Sequence, residues 1–140
     1  MGQNIDVITG DIVDAAYRIH RDLGPGLKEK TYERVLAREL ERRGRKVVRQ
    51  RAIDFEYDGM RFEGTLRPDL IVDDCVLVEI KAARRNLSVF WYQTYTYLRL
   101  SGLQVALLLN FGMPRMKDGI TRIVNGYDPP SPSELRINRP

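Results

Sequence analysis

At 140 residues, with 43% hydrophobic and 30% charged side chains, the chain is long enough for one core and too short for two, and its composition excludes global disorder. No stretch approaches the roughly 18 consecutive apolar residues of a membrane span, and Met1 to Gly10 lacks the basic and then apolar run of an export signal. A net charge of +4 suits an approach to polyanions without proving one, while a lone Cys75 and a lone His20 leave neither an internal disulfide nor a zinc cluster, so a cytoplasmic protein is expected.

The first helix is predicted over about Asp11–Leu23, where Ile12, Ala15, Ala16, Ile19 and Leu23 recur at three- and four-residue spacings behind a start near Thr9 or Gly10. Gly24-Pro25-Gly26 stops it. A second helix follows from about Lys28 to Arg43, with Tyr32, Val35, Leu36 and Leu40 on its apolar side and Gly44 as terminator. Beyond Gly44 the period falls to two: Val47, Arg49, Arg51, Ile53, Phe55 and Tyr57 alternate along one predicted strand. Asp58-Gly59 favours a primed hairpin turn, so Met60 to about Val72 is expected to return antiparallel. After Asp73-Asp74, the apolar run Val76–Ala82 does not alternate, which predicts a central strand covered on both faces.

Ser88 is placed as the cap of a third helix through about Leu100, ended by Gly102, with Val89, Tyr92, Gln93, Thr96, Tyr97 and Leu100 along one side. Gln104–Phe111 reads as a buried strand, and Ile120–Val124 as an edge strand reached through the loop Gly112–Gly119. Four prolines interrupt the chain from Asp128 onward, so residues 128–140 are read as a tail and 1–127 as one domain. The predicted order is two helices, three strands, one helix and two strands.

The chemistry concentrates in Arg67-Pro68-Asp69 and Val78-Glu79-Ile80-Lys81. Strand side chains two apart share a face, so Glu79 and Lys81 project the same way. A two-residue Asp73-Asp74 loop would pair Asp69 with Val78, whereas a three-residue loop ending at Cys75 would pair it with Glu79. The second register is favoured, because the first would leave the two carboxylates on opposite, covered faces of the sheet. Two carboxylates brought together repel, and a hard divalent cation, Mg²⁺ or Mn²⁺, resolves the repulsion. Such a cation would assist hydrolysis of a phosphodiester, with Lys81 orienting or helping to deprotonate the water and offsetting phosphate charge. The clusters Arg45, Lys46, Arg49, Arg51 and Arg84, Arg85 bracket these residues and are candidate nucleic-acid contacts, although the first would serve equally as a solvated face.

Pro68-Asp69, nine residues, then Glu79-Ile80-Lys81 resembles the bipartite motif of the PD-(D/E)XK nuclease superfamily. Gly26-Leu27-Lys28-Glu29-Lys30-Thr31-Tyr32 is similar to the signature of the bacterial and archaeal GxxExxY proteins, a branch of that superfamily, and the resemblance runs from about Ile8 to Asn125. It implies an α/β (α+β) fold with a restriction-endonuclease-like core, a mixed central β-sheet flanked by α-helices. It further implies Glu29 as a third metal ligand beside Asp69 and Glu79, and Gln93, on the helix after the Lys81 motif, as a residue that assists the site. Relatives often carry a histidine three residues before that glutamine, where this chain has Phe90. The function implied is a metal-dependent nuclease, with DNA ahead of RNA as substrate and a homodimer compatible with it. The alternative is a weak or inactive nucleic-acid-binding or protein-interaction module on the same fold. Tyr32, Trp91 and His20 read as structural.

Overall fold

A computed structural model describes residues 4–126, so the stretch read as a tail lies outside the described residues. Helix α1 spans Ile5–Leu23 and begins six residues before the predicted start, because Asn4 caps it by accepting from the Asp6 and Val7 N–H groups. The buried Ile8 and Thr9 extend its inner face, and Gly10 is carried within the helix. Helix α2 spans Glu29–Arg42.

The single strand predicted after Gly44 is broken in two, β1 at Val47–Arg49 and β2 at Ile53–Tyr57. The break falls at Gln50, whose φ of 54° lies in the left-handed region and cannot continue a strand. The returning strand is likewise divided into β3, Met60–Leu66, and β4, Leu70–Val72, by Arg67-Pro68-Asp69. Asp58 and Gly59 both have positive φ, as a primed turn requires, and they close β2 on β3 as a separate two-stranded sheet.

Strands β5 (Val76–Lys81), β6 (Val105–Asn110) and β7 (Ile120–Val124) complete a five-stranded sheet of order β1-β4-β5-β6-β7. The sheet is mixed, since β5 and β6 run parallel while the other neighbours are antiparallel. Helix α3, Ser88–Ser101, makes the crossover between β5 and β6, and a 3₁₀ turn at Met116–Gly119 precedes β7. Ile12 and Ala16 of α1 and Tyr32, Leu36 and Leu40 of α2 pack on Val76, Val78 and Ile80. Trp91 and Leu98 of α3 cover the opposite face at Leu77, Ala106 and Leu108. Both faces of β5 are therefore covered, as its unbroken apolar run implied.

Two details of α3 depart from the sequence reading. Ser88 is the first helical residue and Leu87 occupies the cap position without a side-chain cap bond. The buried face is Trp91, Thr94 and Leu98, while Val89, Tyr92 and Gln93 lie outward. Apolar residues surround α3 on all sides, so spacing alone does not choose a face; burying the large indole of Trp91 does.

Candidate active site

Asp69 sits at the mouth of the β4–β5 hairpin. The ladder pairs Leu70 with Val78 and Val72 with Val76, which leaves Asp73, Asp74 and Cys75 as a three-residue turn and sets Asp69 opposite Glu79. Asp73 and Asp74 both take positive φ to make that turn. The Asp69 N–H donates to Glu79 Oε1 at 2.9 Å, and Asp69 Oδ2 accepts from the Ile80 N–H at 2.8 Å. The two carboxylates thus hold each other's strands in place while facing one another.

Their electrostatics follow from this proximity. Burial pushes the Glu79 carboxyl up to about 8, the Asp69 charge adds to the rise, and the Asp69 N–H and Lys81 partly offset it. Burial likewise raises Asp69, the Ile80 N–H opposes it, and the nearby Glu33 carboxylate adds to it. Like charges desolvated together in this way are characteristic of sites that take a cation.

Lys81, the last residue of β5, projects with Glu79 toward α3. Its Nζ donates to Gln93 Oε1 at 2.8 Å and lies 4.9 Å from the centroid of the Phe90 ring. The position where relatives often carry histidine is thus filled by an aromatic face beneath the ammonium.

The expected trio of metal ligands is not formed. Among the described residues no group of three His, Cys, Asp or Glu side chains could hold a metal ion. Glu29 is exposed at the first residue of α2, and its side chain makes no hydrogen bond or ion pair among the described residues. One turn later, about 6 Å along the axis, Glu33 points inward and is only 2% exposed. Glu33 accepts from Arg49 Nε and Nη2 at Oε2 and from Gln50 Nε2 at Oε1, and the same Gln50 amide donates to Asp69 Oδ1 at 3.1 Å. Sequence reasoning missed both residues. Glu33 carried a signal, a carboxylate in register with Leu36, Ala37 and Leu40 on the buried side; Gln50 carried none, because its place depends on a backbone break.

Two carboxylates nevertheless fit Mg²⁺ or Mn²⁺, for Mg²⁺ keeps several waters and is commonly held by one or two carboxylates together with substrate phosphate. Among the described residues Glu79 accepts a hydrogen bond at Oε1 alone, leaving Oε2 for such an ion.

The basic residues divide. Arg45 is paired with Asp11 and Asp73, Lys46 and Arg51 with Asp74, and Arg49 with Glu33, so every member of the first cluster has an acidic partner on its own chain. Each of these acids is distant in sequence, which is why the cluster reads as free from sequence. Arg84 and Arg85 are exposed just beyond Lys81 and unpaired among the described residues. Asn110 fixes the segment that carries them: its Oδ1 accepts from the Ala83 and Gly112 N–H groups, and its Nδ2 donates to Arg85 O and Asn86 Oδ1.

Tyr32 is fully buried against Phe111, its ring centroid 4.6 Å away, and its hydroxyl donates to Gly24 O and accepts from Leu27 N–H. It braces the loop ahead of α2. His20 contacts Met113 O at 2.8 Å, a structural role. Among the described residues no helix is long and apolar enough to cross a membrane. A family model described as the PD-(D/E)XK nuclease superfamily matches residues 6–123. No curated protein and no solved structure matches the chain.

Proposed function

Since the chain belongs to the PD-(D/E)XK nuclease superfamily and has its restriction-endonuclease-like mixed sheet flanked by helices, we propose that it is a metal-dependent nuclease that hydrolyses phosphodiesters of DNA. The observation that carries this reading is the register of β4 on β5, which sets Asp69 against Glu79 with Lys81 on the same strand as Glu79. Asp69 and Glu79 would hold Mg²⁺ or Mn²⁺, and the third carboxylate near them is Glu33 in place of Glu29. When bound, the ion supplies Lewis-acid stabilisation of phosphate charge and favours ionisation of water.

The chain's own groups do the positioning. Lys81, steadied by Gln93, orients the water that attacks phosphorus and offsets charge gathering on the phosphate oxygens. Gln50 restrains Asp69 from the side opposite the Ile80 N–H. Arg84 and Arg85, exposed three and four residues after Lys81, would contact the phosphates of the scissile strand. The Gly26 to Tyr32 signature supports placement in the GxxExxY branch. One observation favours a binding module without turnover, namely the Phe90 ring beneath Lys81 where a histidine would supply a proton-transfer group.

The deciding experiment incubates wild type and Asp69→Ala with labelled single-stranded, duplex and branched DNA and with RNA, in Mg²⁺, Mn²⁺ or Ca²⁺. Cleavage in Mg²⁺ or Mn²⁺ that the variant loses supports the nuclease. Folded wild type that cuts none of these substrates overturns it in favour of the binding module.

A further inference from the structure

Lys30, Arg34, Arg38 and Arg42 recur every four residues along α2, and all four are exposed. The spacing makes them one row on the outer flank of the helix, each about 6 Å further along the axis. Lys30 is loosely paired with Glu33 at 3.7 Å, and Arg34, Arg38 and Arg42 form no ion pair among the described residues. This is the reverse of the neighbouring arginines, for Arg43 alone is held by Asp11, Asp14 and Glu39.

Such a row works against the helix that bears it. Like charges four residues apart repel, and a cation in the first turn opposes the helix dipole. Glu33, Glu39 and Glu41 each stand three residues from a member of the row, yet among the described residues only Glu33 closes to an ion pair with it, at 3.7 Å from Lys30. Lys30, Arg34 and Arg38 also line an open depression together with Arg49, four cations against the single carboxylate of Glu41. Arg49 pairs with Glu33, and Glu33 is joined through Gln50 to Asp69. The row therefore ends at the candidate site.

We propose that the row Lys30–Arg34–Arg38–Arg42 is a track for the phosphate backbone of a DNA strand, leading along α2 to the carboxylates. The inference rests on the nuclease reading and adds the path of its substrate. Contacts of this kind position a strand without reading its bases, so binding is sequence-independent and falls with salt as counterions are displaced.

The test measures fluorescence anisotropy of labelled single-stranded and duplex oligonucleotides in Ca²⁺ across a salt series. It compares wild type, Arg34→Gln/Arg38→Gln and the charge-matched control Arg61→Gln/Arg122→Gln, whose arginines are paired on β3 and β7. The row variant is expected to bind at least tenfold more weakly at low salt, with a salt slope shallower by about 1.4 on single strands or 1.8 on duplex, while the control stays within about threefold of wild type. Thermal melts should show the row variant no less stable than wild type, because it loses a like-charge pair. Unchanged affinity and slope, equal weakening by the control, or no binding by wild type would each overturn the track. Row-dependent binding without cleavage in Mg²⁺ would keep the track and remove the nuclease; cleavage by wild type with no dependence on the row would do the opposite.

Discussion

Gln50 Nε2 donates to Asp69 Oδ1 at 3.1 Å from a residue whose own backbone is held at φ 54°. The Gln50 N–H also donates to Asp69 O, and Arg67 Nη1 donates to Gln50 O, so the unfavourable backbone is fixed from both sides. Conformation and amide can be separated by substitution. Gln50→Ala should keep the strained backbone and lose the amide, costing about 1–3 kcal/mol of stability, whereas Gln50→Gly loses the amide but relieves the strain and so offsets part of that loss. Both should need more Mg²⁺ for half-maximal cleavage, and only the alanine variant should melt markedly lower. Wild-type Mg²⁺ dependence in Gln50→Gly would remove Gln50 from the site.

Lys81 and the carboxylates should fail differently. Asp69→Ala and Glu79→Ala should cut cleavage by orders of magnitude and recover in part at high Mn²⁺, because they weaken metal binding. Lys81→Ala should lose as much and recover nothing, since the groups that hold the metal remain; Gln93→Ala, which frees the ammonium but keeps it, should lose about tenfold or less. Metal titrations of cleavage with parallel melts separate these outcomes, and metal rescue of Lys81→Ala would contradict the assigned roles.

Stability should fall as pH rises through neutrality when no metal is present. Glu79 has an ordinary value of 4.5 and is pushed up to about 8, so between those values the folded protein holds a proton that the unfolded chain has released. Unfolding then releases protons, and each step up in pH favours it until the folded carboxyl has ionised near 8. Asp69 acts in the same direction at lower pH, between 3.8 and about 6. Asp74 and Glu39 have the opposite sign, because Lys46 and Arg51 lower the first and Arg43 the second; their contribution is present above the ordinary carboxylate range and lost only in acid. The metal-free melting temperature should therefore be higher at pH 5.5 than at pH 8.5. Glu79→Gln should flatten the decline, and saturating Mg²⁺ should reverse it by preferring the ionised pair. A melting temperature that rises over this range in chelator would refute the coupling.

Asn110 is 1% exposed and satisfies four partners around the bend after β5. Replacing it by Leu strands the Ala83 and Gly112 N–H groups and should cost at least about 1–3 kcal/mol for each group left buried and unpaired. A side chain at Gly112 would meet the Ala83 backbone itself, so Gly112→Ala should also destabilise. Chemical denaturation measures both. Either variant at wild-type stability would show that the bend is not fixed by these contacts.

How much could be read beforehand differed by element, for physical reasons. The β4–β5 register followed from sequence because only one pairing avoids burying an unpartnered charge, a constraint local to Asp69 and Glu79. The helices and β7 followed from period and terminators, apart from the start of α1, set by the Asn4 cap rather than by Gly10, and the cap and buried face of α3. The kink at Gln50 was invisible because nothing in Arg49-Gln50-Arg51 demands a positive φ; tertiary contacts with Asp69 and Arg67 impose it. The identity of the helical carboxylate turned on which turn of α2 reaches the sheet, and the GxxExxY spacing drew attention to Glu29 where the packing brings in Glu33. The partners of the basic cluster were not legible because ion pairing with Asp11, Asp73 and Asp74 is a property of the folded chain alone.

The tight turn at Asp73, Asp74 and Cys75 also sets an order of assembly. Asp69 and Glu79 meet across a sequence separation of 10, and Lys81 and Gln93 across 12, whereas Gln50 reaches Asp69 across 19 and Glu33 across 17. Short separations lose the least loop entropy on closing, so a hairpin and one strand-to-helix connection can gather the reactive groups early. Glu33 arrives only when α2 docks on the sheet. Opening of α2 alone would thus withdraw Glu33 while leaving the Gln50 amide on Asp69 and the reactive groups together.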